Sequence, residues 1–420
     1  MNQDHAGKLT ARCRAAVKKQ LGIFLIFIFL ASCNTTNSTR QITPKAELTH
    51  RNVNTPTQTE AETTPGALPV TMTPASPTLP SPTSYPTTKA KTTLSYARMP
   101  VIQDLPGELY ETLFSIPVSP NNIMQYKVSS IEIEGPNAIA VMSNDSFLIA
   151  DPVGDRLLHY DQTGRLLKTI ELDALGIGYV RDLRVKDDEI FLLETSYHKY
   201  RVHRLALDGS LIASEDIPYQ FPIDIMNSDH TLEGGLTGIA IDCEGRIILE
   251  VASGSKLFPL SEVQSQPDPT NIIEGLLCNG KRHFVSTSGP WTDPQVSAGD
   301  HRYQTHLTYG LGGLHFLDVF EDGSIYLVRN DVVTDPVITV DQTVHYIGTD
   351  GTVQGVARVP ISEYYYPITR NTAISPNGEV FALLPRPNSL DVVRLNFYQE
   401  LEPLIPGAEI PQITISPNSP

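Results

Sequence analysis

Phe147-Leu148-Ile149-Ala150-Asp151-Pro152-Val153-Gly154-Asp155-Arg156-Leu157-Leu158-His159-Tyr160-Asp161-Gln162-Thr163-Gly164-Arg165-Leu166 is the stretch on which the fold of this chain turns. Two apolar runs of four to five residues stand in it, one ending at the Pro152–Asp155 turn and one at the Asp161–Gly164 turn, and a third begins at Leu166. Runs this short, bounded by Gly, Pro and Asp, have the length of strands rather than helices.

Working outward, the same order recurs. Ala138-Ile139-Ala140-Val141, the Asn144-Asp145 turn, Phe147–Asp151, Arg156–Tyr160, the Thr163-Gly164 turn and Leu166–Glu171 form one unit. Leu183-Arg184-Val185, Glu189–Glu194, Tyr200–Leu207, Asp208-Gly209 and Ser210–Ile217 form the next. Later units run Gly238–Asp242 with Arg246–Val251, Phe316–Phe320 with Ser324–Arg329 and His345–Thr352, and Thr372–Ser375 with Glu379–Leu384 and Leu390–Leu395. Strand, turn and strand repeated in this way is the signature of radial repetition, in which each four-stranded blade packs on its neighbours. The expectation is an all-β chain folded as a β-propeller; an ordinary β-sandwich would not explain the recurrence.

Five inner strands are visible, and residues 98–134 and 396–420 remain, together about one blade of chain. Tyr110–Ile116 and Tyr126–Glu134 look like outer strands that could join the C-terminus. The sequence therefore predicts six four-stranded blades, the sixth shared between the two ends, with five or seven as alternatives. Residues 252–313 could hold a blade of their own, but their Pro-, Gly- and Ser-rich part, 286–300, reads as an extended loop.

The 147–166 stretch resembles an NHL repeat, and the first two units are similar to those of NHL and six-bladed, regucalcin-like propellers. The resemblance covers about 35 residues and implies a propeller that binds a partner on one face, with sugar-lactone or ester hydrolysis in some relatives. Such hydrolysis would need acidic and amide residues around one divalent cation in the central channel. Glu134, Asp182, Glu233, Asp318 and Asn371 are candidates by position, although acidic residues at turns commonly serve the turns themselves.

The beginning of the chain indicates where the protein works. Lys8, Arg12, Arg14, Lys18 and Lys19 precede an apolar run, Leu21–Ala31, that is too short to span a bilayer. Leu30-Ala31-Ser32-Cys33 follows and resembles the lipobox of bacterial lipoproteins. The resemblance implies cleavage before Cys33 and a lipid on its thiol, so residues 1–32 are read as a signal peptide and the protein as anchored on the extracytoplasmic face of a cell membrane. Residues 33–97, crowded with Thr, Pro and Ser, read as a disordered tether, and 98–420 as the propeller domain.

Other features narrow the function. From residue 98 onward there are 21 basic and 43 acidic residues, which argues against nucleic acid as a partner. No G-x-S-x-G elbow, H-E-x-x-H pair, P-loop or dinucleotide fingerprint occurs. His301, His306 and His315 are a weak candidate metal set, and otherwise no cofactor is implied. Trp291, the sole tryptophan, and Tyr364-Tyr365-Tyr366 are candidates for a binding surface, with packing against the blades as the alternative for each. Cys243 and Cys278 are either a disulfide or two separate buried thiols. The function these features favour is a surface-displayed binding or scaffold module for a protein, peptide or glycan, with a metal-dependent lactonase or esterase of the central channel as the alternative.

Overall fold

The computed structural model describes residues 99–416 apart from 105–106, 130–131, 197–198, 219–220, 222–234, 252–253, 255, 266–271, 273, 287–294, 306–309, 334–338, 403 and 405–412. Six sheets, antiparallel but for one parallel edge pairing in the fifth, follow one another as blades of a ring. Blade 1 is Ala138–Val141, Phe147–Asp151, Arg156–Tyr160 and Leu166–Glu171. Blade 2 is Val180–Lys186, Glu189–Ser196, Lys199–Ala206 and Leu211–Ile217. Blade 3 has three strands among the described residues, Leu236–Ile241, Ile247–Val251 and Lys256–Pro259. Blade 4 is Leu276–Cys278, Lys281–Ser286, Gln295–Ala298 and His301–Thr305, extended by Ile413–Ser416. Blade 5 is Gly310–Val319, Ile325–Val333, Thr339–Ile347 and Val353–Val359, with Phe397–Tyr398 and Ile102–Gln103 on its outer edge. Blade 6 is Thr372–Ile374, Val380–Pro385 and Ser389–Leu395, completed by the N-terminal strand Tyr110–Pro117.

The pairing Tyr110↔Leu395 through Pro117↔Ser389 closes the ring by joining the two ends of the chain in one sheet. The six-blade expectation holds, and Tyr110–Ile116 is an outer strand as read. The location of the last blade is different. Among the described residues, 98–134 and 396–420 do not form one; the sixth sheet is blade 4, inside the interval 252–313 that the sequence left open as a blade of its own, and Gln295–Ala298, within the part read as an extended loop, is a strand. Its inner strand has three residues, and Lys281–Ser286 shows buried positions only at alternate residues, so no continuous apolar run announces it. Residues 127–134 contribute only the small hairpin Lys127–Val128 with Ile133–Glu134.

The core lies between blades. Ile139, Phe147 and Leu158 of blade 1 pack with Phe114, Phe381 and Leu383 of blade 6, and Leu148 and Leu157 pack with Leu183 and Leu192 of blade 2. Second strands are therefore covered on both faces, and Phe147–Asp151 and Val380–Pro385 are buried at every position. The outer strand Leu211–Ile217 is mostly exposed.

All inner strands run the same way, so the turns after first and third strands share one face, the turn face. They repeat one chemistry. Asp161 Oδ1 accepts from the Thr163 and Arg165 N–H groups, Asp242 Oδ1 from Glu244 and Arg246, and Ser375 Oγ from Asn377 and Glu379. Gly164, Gly245 and Gly378 take the left-handed position at φ of 81, 77 and 84°, where a Cβ would be strained. Longer connections such as 172–179, 218–235 and 360–371 share the opposite face, the loop face. Cys243 and Cys278 are joined as a disulfide, Cα–Cα 4.8 Å, tying the inner-strand ends of blades 3 and 4 together on the turn face.

Candidate functional site

The axis is the first place where inner strands bring chemistry together. Asp182 and Arg184 lie on Val180–Lys186 of blade 2, Glu250 lies on the second strand of blade 3, and Arg370 precedes the inner strand of blade 6. The Arg370 backbone N–H donates to Asn137 O at 2.9 Å, which pins it against blade 1. Its guanidinium crosses to blades 2 and 3, where Nη2 donates to Asp182 Oδ2 at 3.1 Å and to Glu250 Oε2. Asp182 Oδ2 also accepts from Ile239 N at 2.8 Å, and Oδ1 from Leu183 N at 2.7 Å. Arg184 donates from Nε to Ile239 O at 2.8 Å, while its Nη2 stands 3.8 Å from Asp182 and 3.7 Å from Glu250.

Gly238 makes this approach of charges fit. A Cβ there would fall onto the Arg370 guanidinium and 2.7 Å from both Asp182 Oδ2 and Glu250 Oε2. Burial favours neutral carboxyls, but Arg184 and Arg370 outweigh it at Asp182 and hold that group below the usual carboxylate range. At Glu250 burial wins and the group is pushed up. His315, on the inner strand of blade 5, is held well below the usual imidazole value by burial and by Arg370 and Arg184, so it stands neutral beside the cluster.

A divalent cation needs oxygen ligands that are free to turn toward it. Both axial carboxylates are already engaged by guanidinium groups, so these two residues do not fit a channel metal. Asp318, on the inner strand of blade 5, is near enough for its charge to act on the Arg184 guanidinium, while Asn371 and Glu134 do not join the cluster. Asn371 donates its amide to Gln342 Oε1 at 2.6 Å, Asp318 accepts from its own neighbour Val319 N at 2.8 Å, and Glu134 pairs with Lys127 at 2.8 Å on the exposed hairpin. Glu233 lies outside the described residues. Among the described residues no group of three or more His, Cys, Asp or Glu is placed to hold a metal. His301 is on the outermost of the first four strands of blade 4 and His315 on the inner strand of blade 5, so the structure does not gather them. His306 lies outside the described residues, as do Trp291 and Cys33.

The second place is the loop face over blades 6 and 1. Tyr366 is buried, and its hydroxyl donates to Pro136 O at 2.9 Å. Tyr364 is half-buried, while Tyr365 is 39% exposed. Tyr126 stands between, its ring centroid 5.1 Å from Tyr366 and 6.0 Å from Tyr365. Tyr179, 44% exposed, begins the approach to blade 2 and accepts from Asn137 Nδ2 at 3.3 Å. The triplet therefore divides, Tyr366 and Tyr364 packing as in the blander reading and Tyr365 facing solvent. Burial and hydrogen bonding fix the rings behind Tyr365, which suits a recognition platform because an aromatic surface held rigid loses little entropy on binding.

Sequence reasoning missed Arg184, Glu250, Arg370, Tyr126 and Tyr179 as participants. Arg370 carried the one usable signal, a cation immediately before an inner strand, but its partners lie 120 and 188 residues away.

No protein-family model matches this chain, and no curated protein does. Among solved structures it is similar to the PQQ-bound form of an aldose sugar dehydrogenase from Streptomyces coelicolor, at 10% identity over 69% of this chain and 98% of that one, with a TM-score of 0.39. It is similar to a virginiamycin B lyase from Staphylococcus aureus at 13% identity over 62% and 95%, TM-score 0.33. It is also similar to a protein described as a glucose dehydrogenase from Thermus thermophilus, at 15% identity over 62% and 96%, TM-score 0.33. At these identities and scores no residue takes a role from them, and the six blades are read from the strand pairing itself.

Proposed function

We propose that this chain is a membrane-anchored, extracytoplasmic recognition module whose propeller presents its loop face to a protein, peptide or glycan. The observation that carries the reading is the axial ion cluster. Arg370 engages both Asp182 and Glu250 where a channel enzyme would need free ligands, so the axis supports the ring, while two exposed tyrosines, Tyr365 and Tyr179, stand on the loop face. The Cys243–Cys278 bridge and the Leu30–Cys33 motif both suit an oxidising compartment outside the cytoplasm. A divalent cation is not part of the proposal.

Titration of the full chain with Ca²⁺, Mn²⁺ and Zn²⁺, together with lactone and ester turnover, tests the enzymatic alternative. Turnover that disappears in Asp182→Asn would overturn the recognition reading. Peptide and glycan arrays probed with the wild-type chain and with a Tyr179→Ala/Tyr365→Ala variant test the face: its ligands are expected to be lost from the variant, and retention of all of them would move recognition elsewhere. Cys33→Ser is expected to release the protein from the membrane fraction.

A further inference from the structure

A cleft of about 430 Å³ opens between blades 2 and 3 toward the turn face, away from the tyrosine platform. Its floor is apolar, with Phe191 and Leu260 buried and Ile247 half-buried. Its walls are charged, and the two signs are not equivalent. Among the described residues, every cation that lines the cleft has a partner in the fold. Arg204 donates from Nε and Nη2 to Glu189 Oε2 at 2.9 and 2.7 Å, its Cζ 5.8 Å from the Phe191 ring centroid. Arg246 donates to Asp242 Oδ2 at 2.8 Å and Lys186 to Asp242 O at 3.1 Å. Glu215, on the outer strand of blade 2, lines the same cleft and has no partner among the described residues.

The turns that frame the cleft deepen the imbalance. Asp187, Asp188 and Glu189 on one side and Asp242 and Glu244 on the other make, with Glu215, six acids against the three cations Lys186, Arg204 and Arg246. An anion would meet cations that are already satisfied and a field of the wrong sign. A cation with an apolar stem meets the reverse, a carboxylate available to pair and an apolar floor for its methylenes. The domain's excess of acids, 43 against 21 bases from residue 98 onward, favours the approach of such a group.

We infer that the cleft between blades 2 and 3 is a docking site for a basic side chain, arginine or lysine, on an extended segment of a partner protein. The stem lies on Phe191, Ile247 and Leu260, and the head group pairs with Glu215. The occupant is a peptide rather than a free polyamine, because the volume exceeds one side chain and leaves room for flanking apolar residues against the floor. The site is separate from the loop face and does not depend on the role proposed there.

Calorimetric titration of the full chain with acetyl-Ala-Leu-Arg-Leu-Ala amide, and with the same peptide carrying Gln for Arg, tests the inference. The Arg peptide is expected to bind, and its Gln analogue about tenfold or more weaker. Glu215→Gln should weaken the Arg peptide about five- to tenfold without lowering the melting temperature, since Glu215 has no partner to lose. Raising salt from about 50 to about 500 mM should weaken it further by screening. Tyr365→Ala should leave binding unchanged, which separates this site from the loop face. Equal affinity for both peptides, full affinity in Glu215→Gln, loss of binding in Tyr365→Ala, or spermidine binding as tightly as the peptide would each overturn it.

Discussion

Replacing Arg370 by Met removes a side chain that ties blade 6 to blades 2 and 3 across the axis. Two cations, Arg184 and Arg370, directly face two acids, Asp182 and Glu250, all of them largely buried, and Asp318 of blade 5 adds a negative charge within reach of Arg184. Without Arg370, Asp182 and Glu250 keep only Arg184, whose Nη2 is 3.7–3.8 Å from each, so at least one carboxylate charge is left without compensation. Breaking a buried pair from one side costs about 3–5 kcal/mol. Arg165→Met, which removes an arginine 75% exposed on the turn face, should cost about 0.5 kcal/mol or less. Denaturant titration followed by circular dichroism reads both. Adding Glu250→Gln to Arg370→Met removes one of the acids that compete for Arg184 and leaves Asp182 as its direct partner. The double variant should therefore recover about 1–3 kcal/mol relative to the sum of the single changes.

The sign of the pH dependence follows from the same groups. Loss of Arg370 removes a charge that lowers both carboxyl values, so in the variant both rise relative to wild type while those of the unfolded chain stay where they are. A folded state that holds extra protons becomes relatively more stable as pH falls, and the deficit of Arg370→Met should shrink between about pH 7 and pH 5. A cost under about 1 kcal/mol, or no recovery in the double variant, would refute the strut.

Gly238→Ala should destabilise by about 2–4 kcal/mol, because its Cβ has no room among Arg370, Asp182 and Glu250; a melting curve matching wild type would mean the three side chains are not there together. Removing the Cys243–Cys278 bridge, a separation of 35 residues, should cost about 2–4 kcal/mol on the chain-entropy account, read as the difference in denaturant midpoint with and without reductant. His283 and His345 are buried and pushed down to about 4 and about 3, His283 by burial and then Lys281, His345 by burial and then Arg329. Their folded values lie below the unfolded value of 6.5, so the stability they contribute is complete above that pH and is lost as pH falls toward 4 and 3. Each contributes a slope of up to about 1.4 kcal/mol per pH unit within its window. His283→Gln with His345→Gln should flatten the measured curve between about pH 6 and pH 4, and an unchanged slope would contradict their burial.

How much of this was legible depended on the distance over which each signal acts. Phe147–Ala150 and Val380–Leu384 announce themselves because a second strand covered by two neighbouring blades must be apolar throughout, and Asp161-Gln162-Thr163-Gly164 because its Asp caps and its Gly supplies a left-handed position within four residues. Blade 4 was hidden because Lys281–Ser286 places polar residues between buried ones and its inner strand is only Leu276–Cys278. The C-terminal strand Ile413–Ser416 pairs with His301–Thr305, a partner no local pattern could name. The axial site was half legible. Asp182 was a candidate, but the decisive fact, that a guanidinium sits against it, depends on Arg370 reaching Asp182 and Glu250 across 188 and 120 residues of chain.

The axial cluster also bears on why recognition should lie on a face. A ring of blades gains stability only if its inner strands approach closely, and here blades 1, 2, 3 and 6 approach through backbone and charge at one point: Arg370 N to Asn137 O, Asp182 Oδ2 to Ile239 N, and the two carboxylates to one guanidinium. A ligand that entered there would have to displace interactions that position four blades, so binding at the axis would act against the fold. Ligands at the rim meet no such cost. Tyr365 and Tyr179 project from a base already fixed by Tyr366 and Asn137, and Glu215 lies on an outer strand that is mostly exposed. Variants at these surface positions should change binding while leaving the melting temperature within about 2 °C of wild type, whereas variants at Arg370 or Gly238 should do the opposite.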